Sequence, residues 1–206
     1  MIRLLFITKN RHKVIEAQIS IEQVGLGKFI NLELLEIPKL EIQSDDLKEI
    51  AIFAARNVYK RLEERKAIVV EDAGLFIESL NGFPGPYSNY VYRTIGIKGI
   101  LKLLKGIDNR RAEFVSVIVV IHPEFGEMVF EGKAQGYIAY EAKGDKGFGF
   151  DPIFIPKGHS KTFAEMNIEE KCRYSHRGAA FRALARWFAS KLKDLQPLDK
   201  VSRDRE

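Results

Sequence analysis

Apolar and polar positions predict strands alternating with helices in the first part of the chain. Ile2–Ile7 is mostly apolar over strand length, which predicts a buried strand. Residues 10–23 carry apolar side chains at helical spacing, and Gly25 closes the pattern. Residues 29–37 alternate between apolar and polar positions and predict a second strand. The first part of the chain is therefore predicted to form a strand, a helix and a second strand.

The next segment has a long helical pattern followed by a short apolar run. Ser44 or Asp45 is expected to cap this helix, whose apolar stripe extends from Leu47 to Leu62. Residues 67–70 predict a strand, and residues 74–80 are interpreted as its hairpin partner.

The longest strand patterns lie in the middle of the chain. Residues 81–88 hold two glycines and two prolines and predict a loop, and residues 97–104 predict a short helix. Residues 112–121 and 128–140 predict a long antiparallel pair. A final helix is expected to begin at Ser175, with an inner face of Ala180, Leu184, Trp187 and Phe188.

This order favours an α/β fold with a mixed β-sheet flanked by helices. An all-parallel Rossmann sheet is less consistent, because residues 112–140 read as a hairpin. No linker or internal repeat divides the chain, so residues 1–194 are predicted to form one domain. Residues 195–206 are predicted to be a flexible C-terminal tail.

Composition limits the classes of partner and compartment. The chain has 206 residues, of which 46% are hydrophobic, enough for a substantial core. Cys172 is the only cysteine, so no internal disulfide can form and a reducing compartment is expected. Cys172 itself is interpreted as a small core residue. The apolar run Phe114–Ile121 is too short to span a membrane. A cytoplasmic protein with no membrane partner is therefore predicted.

The net charge is +5, which favours anionic ligands. Acidic and basic residues are interspersed, however, and no block of five basic residues occurs. A nucleic-acid partner is therefore not expected.

The first turn, at residues 8–13, follows a buried strand and opens a helix. Free backbone N–H groups at such a turn can bind an anion. It lacks the glycine–lysine spacing of a Walker A loop. An ordinary capped helix with a surface lysine is the alternative. The candidate anion-binding residues are Thr8, Lys9, Asn10, Arg11, His12 and Lys13.

Acidic residues follow a strand at Glu71 and Asp72, and Glu41 lies in an irregular segment after Pro38. Mg²⁺ prefers hard oxygen ligands and usually takes one or two carboxylates. If the strand persists, Glu71 and Asp72 point to opposite faces. Asp72 is favoured because Gly74 indicates a turn beside it. A solvated acidic turn is the alternative.

A glycine-rich turn at residues 147–154 carries two phenylalanines and an aspartate. Phe148 and Phe150 offer faces for a planar base, and Asp151 offers an acceptor. Two core phenylalanines in a β-turn would be equally consistent. The stiff loop at residues 81–88 could either wall a pocket or serve only the fold.

The start of the last helix places positive charge where the helix dipole disfavours it. Ser175 is a plausible N-cap, and His176 and Arg177 fall in the first turn. Either an anionic or carbonyl-bearing ligand or a salt bridge must offset this cost.

These motifs, in this order, closely resemble the Ham1 family of inosine/xanthosine triphosphate pyrophosphatases. The resemblance extends from about residue 3 to residue 190. It is carried by residues 8–13, by 71–75 and 82–88, by 147–152, by 161–166, and by 175–177.

The resemblance implies an elongated mixed sheet with a central cleft between two lobes, and usually a homodimer. It also implies Mg²⁺-dependent hydrolysis of ITP, dITP and XTP to the monophosphate and pyrophosphate. Glu41 and Asp72 would hold Mg²⁺, and Asp72 would be the general base. The remaining implied substrate-binding residues are Thr8, Asn10, Lys13 and Lys171 for the triphosphate, Ala73 through its backbone, and Phe148, Gly149, Phe150, Asp151, His176 and Arg177 for the base.

The chain departs from the usual family pattern at two positions. Lys9 stands where many members have glycine, and Ala73 where many have serine or threonine. Three other interpretations stay open from the sequence: a pyrimidine or methylated-nucleotide pyrophosphatase on a related fold, a basic RNA-binding module, and a purely structural α/β protein.

Overall fold

The computed structural model describes residues 1–194, which form one open mixed β-sheet flanked by α-helices. The strands are β1 Ile2–Ile7, β2 Ile30–Leu35, β3 Ile68–Ile77, β4 Pro84–Gly85, β5 Arg111–His122, β6 Gly126–Ile138 and β7 Phe154–Pro156. The helices are α1 Arg11–Glu22, α2 Leu47–Arg61, α3 Ser88–Thr94, α4 Gly96–Leu103, α5 Ile168–Tyr174 and α6 His176–Asp194. The α/β class expected from the sequence is confirmed.

The sheet has the strand order β2-β1-β3-β5-β6-β7, with β4 paired to β3 outside this path. Strand β1 pairs parallel to both β2 and β3, whereas β5 pairs antiparallel to β3 and β6. Strand β7 pairs antiparallel to β6. The prediction of a mixed sheet, and of a hairpin in place of an all-parallel arrangement, is therefore confirmed.

The hairpin predicted at residues 74–80 is wrong, because β3 continues without a break from Ile68 to Ile77. Gly74 lies inside this strand and opposite Val115 of β5. A Cβ atom at Gly74 would clash with the carbonyl oxygen of Gly85. The glycine thus admits the close approach of β4 and does not mark a turn.

The cap predicted for α2 is displaced by one or two residues. Asp46 is the N-cap, and its Oδ1 accepts a hydrogen bond from the Lys48 N–H at 2.7 Å. Ser44 lies before the cap, where its hydroxyl accepts from the Asp46 N–H and donates to Glu49. Helices α3 and α5 were not predicted, because each has only seven residues and shows too little periodicity.

The apolar core consists of clusters on both faces of the sheet and at the far end of β5 and β6. The α6 residues Ala180, Leu184 and Phe188 are fully buried, as predicted, and Trp187 is partly buried. Burying a leucine or phenylalanine side chain stabilises a fold by about 1.5–3 kcal/mol. This face of α6 therefore fixes the position of the helix start, which reaches the cleft described below.

Cys172 is buried, which agrees with its interpretation as a core residue. Burial raises the pKa of its thiol to about 11. Within residues 1–194, no helix is long and apolar enough to cross a membrane. The predicted tail at residues 195–206 lies outside the described residues, and the prediction of a single domain stays a prediction.

Candidate active site

One cleft of about 980 Å³ brings together nearly all the residues singled out from the sequence. Lys13, Asp72 and Lys171 line this one cleft, although they come from α1, β3 and α5. Of the predicted set, only Arg11 and His12 do not line it. The predicted residues that line it are Thr8, Lys9, Asn10, Lys13, Glu41, Asp72, Ala73, Phe148, Gly149, Phe150, Asp151, Lys171, His176 and Arg177.

The turn between β1 and α1 forms one wall of the cleft. Asn10 is the N-cap of α1, and its Oδ1 accepts a hydrogen bond from the His12 N–H at 3.0 Å. The Thr8 Oγ1 accepts from the Asn10 N–H at 3.1 Å. Arg11 and His12 are exposed beyond the cap, and the His12 ring centroid lies 6.0 Å from that of Phe148. These caps fix the turn and direct Lys13 toward the cleft.

Glu71 points away from solvent and is fully buried. Its carboxylate lies 2.8 Å from Arg177 Nε and 3.3 Å from Lys13 Nζ. The Ser116 hydroxyl also donates to it at 2.8 Å. Burial alone would raise the pKa of Glu71, but the charges of Arg177 and Lys13 outweigh burial and hold that pKa far below its ordinary value. Glu71 is therefore ionised, and its role is to hold Arg177 and Lys13 in position.

Asp72, the next residue on β3, is half-buried and lines the cleft. Burial raises its pKa to about 6, against the opposing effect of Lys13 and Lys39. The nearby Glu41 charge raises that pKa further. The two neighbours on β3 face opposite ways, as a continuous strand requires. Asp72 was thus favoured from a turn at Gly74 that does not exist, although the structure does place it in the cleft.

The carboxylate oxygens of Asp72 and Glu41 are ligands that suit a hard divalent cation. Asp72 and Glu41 both line the cleft and are close enough for their charges to interact. Residues 1–194 contain no group of three or more potential metal-ligating side chains. Mg²⁺ does not require one, since it usually takes one or two carboxylates and completes its shell with water and phosphate oxygens. A bound cation would also stabilise the ionised form of Asp72 and so oppose the effect of burial on its pKa. The residues present therefore fit Mg²⁺.

The floor of the cleft is a buried network of ion pairs. Lys171 Nζ lies 2.6 Å from both Glu16 Oε1 and Asp151 Oδ2. Arg177 Nη1 lies 2.6 Å from Glu16 Oε2. Glu16 thereby joins the two cations, and through Arg177 it is linked to Glu71. Glu16 was not predicted, because it occupies an ordinary polar position in the helical pattern of residues 10–23.

Burial raises the pKa of both network carboxylates, but the net shifts of Asp151 and Glu16 have opposite directions. Burial raises the pKa of Asp151 by more than Lys171 lowers it. For Glu16, burial also raises the pKa, but Arg177 and Lys171 together outweigh it and hold the pKa below its ordinary value. Glu16 has two cationic partners and Asp151 has one, which accounts for the difference.

The structure shows what offsets the positive charge in the first turn of α6. Ser175 Oγ accepts from the Gly178 N–H at 3.0 Å and caps the helix. Salt bridges from Arg177 to Glu16 and Glu71 offset the unfavourable dipole. His176 is buried and lies flat on Phe114, with ring centroids 4.6 Å apart. Burial holds the pKa of His176 well below its ordinary value, so the ring is neutral.

His176 Nδ1 is buried and has no hydrogen-bond partner among residues 1–194. An unpaired buried polar atom costs about 1–3 kcal/mol. Since His176 lines the cleft, a ligand with a complementary polar atom would recover that cost.

The two phenylalanines of the glycine-rich turn have different environments. Phe148 is partly exposed in the cleft, with Lys171 Nζ 4.7 Å and Arg177 Cζ 5.3 Å from its ring centroid. Phe150 is buried and packs edge-on against Tyr92, with centroids 5.5 Å apart. Both alternatives raised by the sequence thus apply: Phe150 belongs to the core, and Phe148 presents a ring to the cleft.

Several lining residues were not predicted. Lys39 lies 3.0 Å from Glu41, and the start of α3 contributes Tyr87, Tyr90 and Tyr92. The loop at residues 81–88 both lines the cleft and supports the fold. The Ser88 hydroxyl accepts from the Leu75 N–H and donates to the Gly85 carbonyl. The proline–glycine composition of the loop was the only available signal for this wall.

Comparison with known proteins agrees with the fold and the cleft. The sequence profile of the Ham1 family matches residues 4–187. A dITP/XTP pyrophosphatase of Hyperthermus butylicus is 50% identical over 184 residues, which cover 89% of this chain and 93% of that protein. One from Thermococcus kodakarensis is 48% identical over 191 residues, covering 93% of this chain and 100% of that protein.

Solved structures give the same result. The Staphylococcus aureus Ham1 protein superposes with a TM-score of 0.76 at 28% identity, covering 92% of this chain and 99% of that one. A nucleoside-triphosphatase / dITP/XTP pyrophosphatase from Mycobacterium abscessus superposes with a TM-score of 0.65 at 32% identity, covering 89% and 98%. The molecule is thus an α/β protein with a charged cleft of nucleotide size. The chain belongs to the Ham1 family.

Proposed function

We propose that this protein hydrolyses non-standard purine nucleoside triphosphates, namely ITP, dITP and XTP, to the monophosphate and pyrophosphate. Removal of these nucleotides from the nucleotide pool would be its role. The relatives named dITP/XTP pyrophosphatase align with it over almost their whole length. The arrangement of the cleft supports the same conclusion.

One observation carries the proposal: two chemically different groups of residues line the same cleft. In the first group, Lys13 and Lys39 lie close enough to the half-buried carboxylate of Asp72 for their charges to act on it. In the second group, Phe148 presents an aromatic ring, and His176 has an Nδ1 with no hydrogen-bond partner among residues 1–194. A triphosphate with its counterion suits the first group, and a purine base suits the second.

The chemical step requires positioning and neutralisation of charge more than covalent help. Water would attack the α-phosphorus while the Asp72 carboxylate accepts its proton, and the bond to pyrophosphate would break. With a pKa of about 6, Asp72 is ionised at neutral pH and close to the range that suits a general base. Lys13 would neutralise the negative charge that develops on the departing pyrophosphate.

Asp72 and Glu41 would hold Mg²⁺. When bound, Mg²⁺ would neutralise phosphate charge and increase the acidity of a coordinated water. The test is direct: wild-type protein incubated with ITP and Mg²⁺ should release pyrophosphate, and a chelator should abolish that release. Release of orthophosphate in place of pyrophosphate would contradict the proposal.

Discrimination among bases would come from the 6-position of the purine. Inosine and xanthosine carry a carbonyl there, and adenosine carries an amine. His176, in the tautomer with its proton on Nδ1, would donate to the carbonyl and be left unpaired by adenine. Arg177 is less available, because Glu16 and Glu71 already bind its guanidinium. Sites of this kind discriminate by roughly 10⁴-fold.

A substrate panel tests this selectivity. ITP and XTP should be hydrolysed far faster than ATP, and equal rates for ITP and ATP would overturn the assignment of the base site. The same panel, extended to pyrimidine and methylated nucleotides, separates this function from those of other nucleotide pyrophosphatases.

The assembly and compartment are also proposed. A homodimer would have twice the 23.5 kDa mass of the chain in light scattering. A cytoplasmic location agrees with a lone, buried cysteine.

A further inference from the structure

Lys39 lines the cleft beside the carboxylate of Glu41. Its Nζ is 3.0 Å from Glu41 Oε1 and 3.4 Å from the carbonyl oxygen of Glu71. The Lys39 side chain is only 19% exposed, so it is held in the cleft wall. Its charge also acts on Asp72. Lys39 therefore occupies the region where the proposed Mg²⁺ would bind.

Among the cleft lysines that form ion pairs within residues 1–194, the partner of Lys39 differs from the partners of Lys13 and Lys171. Lys13 pairs with Glu71, and Lys171 pairs with Glu16 and Asp151; all three carboxylates are buried. The Glu41 side chain, by contrast, is 51% exposed. Exposed ion pairs contribute little net stability and exchange partners readily. Lys39 is thus the cleft lysine whose carboxylate partner is easily displaced.

We infer that Lys39 is a displaceable counter-ion that neutralises Glu41 while the cleft is empty and binds substrate phosphate when the metal and triphosphate enter. This inference rests on the proposed function, because it assigns a role within the same site. Lys39 is a positioning residue for the carboxylates and a binding residue for the phosphates.

Two physical facts support the exchange. An ammonium group and a divalent cation repel each other and compete for the same carboxylate oxygen. Once released, the ammonium group has three donors for phosphate oxygens. Because Lys39 already lies in the cleft wall, the exchange requires only that its ammonium group leave Glu41 and bind a phosphate oxygen.

The first experiment measures Mn²⁺ binding to substrate-free protein by the electron paramagnetic resonance signal of free Mn²⁺. Lys39→Met should bind Mn²⁺ about threefold more tightly than wild type, since both competition and repulsion are removed. Lys66→Met is the matched control, because Lys66 pairs with Glu64 at 2.6 Å on the exposed surface. Equal or weaker Mn²⁺ binding by Lys39→Met would overturn the inference.

The second experiment measures pyrophosphate binding by calorimetry in the presence of Mg²⁺. Lys39→Met should weaken this binding by about tenfold, as expected for loss of a charge-assisted hydrogen bond. Lys39→Arg should restore most of the affinity, which a purely structural role would not predict. Unchanged pyrophosphate affinity in Lys39→Met would overturn the inference even if Mn²⁺ bound more tightly.

Failure of the proposed function can be distinguished from failure of the inference about Lys39. Wild-type protein that releases no pyrophosphate from ITP would refute the function, whereas the Mn²⁺ comparison requires no turnover. Thermal unfolding of each variant shows whether the fold is retained.

Discussion

Glu71 and Asp72 are neighbours on one strand, yet their environments are opposite. Glu71 is fully buried between Arg177 and Lys13, and its pKa lies far below the ordinary value. Asp72 faces the cleft, and burial outweighs the opposing charges of Lys13 and Lys39 and raises its pKa to about 6. The strand alternation separates them. Residue type alone thus does not assign a role; the partners on each face do.

The largest expected effect is on catalysis, at Asp72, the member of this pair that faces the cleft. Asp72→Asn should preserve the fold and lower kcat by about 10²–10⁴-fold, the usual contribution of a general base. The measurement is the rate of pyrophosphate release from ITP. Asp145→Asn is the matched control, because Asp145 is exposed outside the cleft. Activity of Asp72→Asn within a few-fold of wild type would show that Asp72 is not the base.

The buried member should affect stability. Glu71→Gln removes the charge that pairs with Arg177 and Lys13, and loss of one member of a buried ion pair costs about 3–5 kcal/mol. The free energy of unfolding from urea titration measures this loss. Glu64→Gln breaks an exposed pair and should leave the free energy of unfolding nearly unchanged. Similar effects from the two variants would remove the distinction between the environments.

The two phenylalanines of the glycine-rich turn extend the comparison to the proposed base-binding residues. Phe148→Leu should raise KM for ITP by about tenfold with little loss of stability, because its ring faces the cleft. Phe150→Leu should mainly lower the unfolding temperature, since Phe150 is buried against Tyr92. Steady-state kinetics and thermal unfolding give KM and the unfolding temperature of each variant. A larger rise in KM for Phe150→Leu, with the larger loss of stability for Phe148→Leu, would contradict the roles assigned to the two rings.

The smallest expected effect is in the pH dependence of stability without metal. Because the folded Asp72 has a raised pKa, it binds more protons than the unfolded chain between about pH 4 and 6. Its contribution to stability therefore falls as pH rises through that range. Glu71 acts oppositely, since its depressed pKa gives stability above about pH 4.5 that is lost only in stronger acid.

Urea titrations of wild type and Asp72→Asn between pH 4 and 7, with chelator present, isolate the Asp72 contribution. Relative to wild type, the variant should gain stability as pH rises. A constant difference across the range would mean that the Asp72 pKa is not raised.

Much of the fold and of the site was predictable, because local sequence patterns indicate the elements and the motifs. The apolar run of β1, the hairpin of β5 and β6, and the inner face of α6 all follow from periodicity. The order of the motifs indicated the family, and nearly all of the predicted site residues do line one cleft. Gly74 was misread because a glycine that admits a neighbouring strand looks the same in sequence as one that forms a turn.

Glu16 and Lys39 illustrate what local pattern cannot show. Glu16 bonds Lys171 and Arg177, which are more than 150 positions away along the chain. Lys39 is important only because its segment passes beside the middle of β3. In each case the partner is distant in sequence.

By itself, the sequence determined most of the longer strands and helices, the family, and most of the site residues, since these depend on residue spacing along the chain. Only the tertiary structure decided which carboxylates are paired and which are open to a ligand. The physical reason is that the charge state and availability of a side chain depend on burial and on partners within a few ångströms, and folding brings those partners from distant segments.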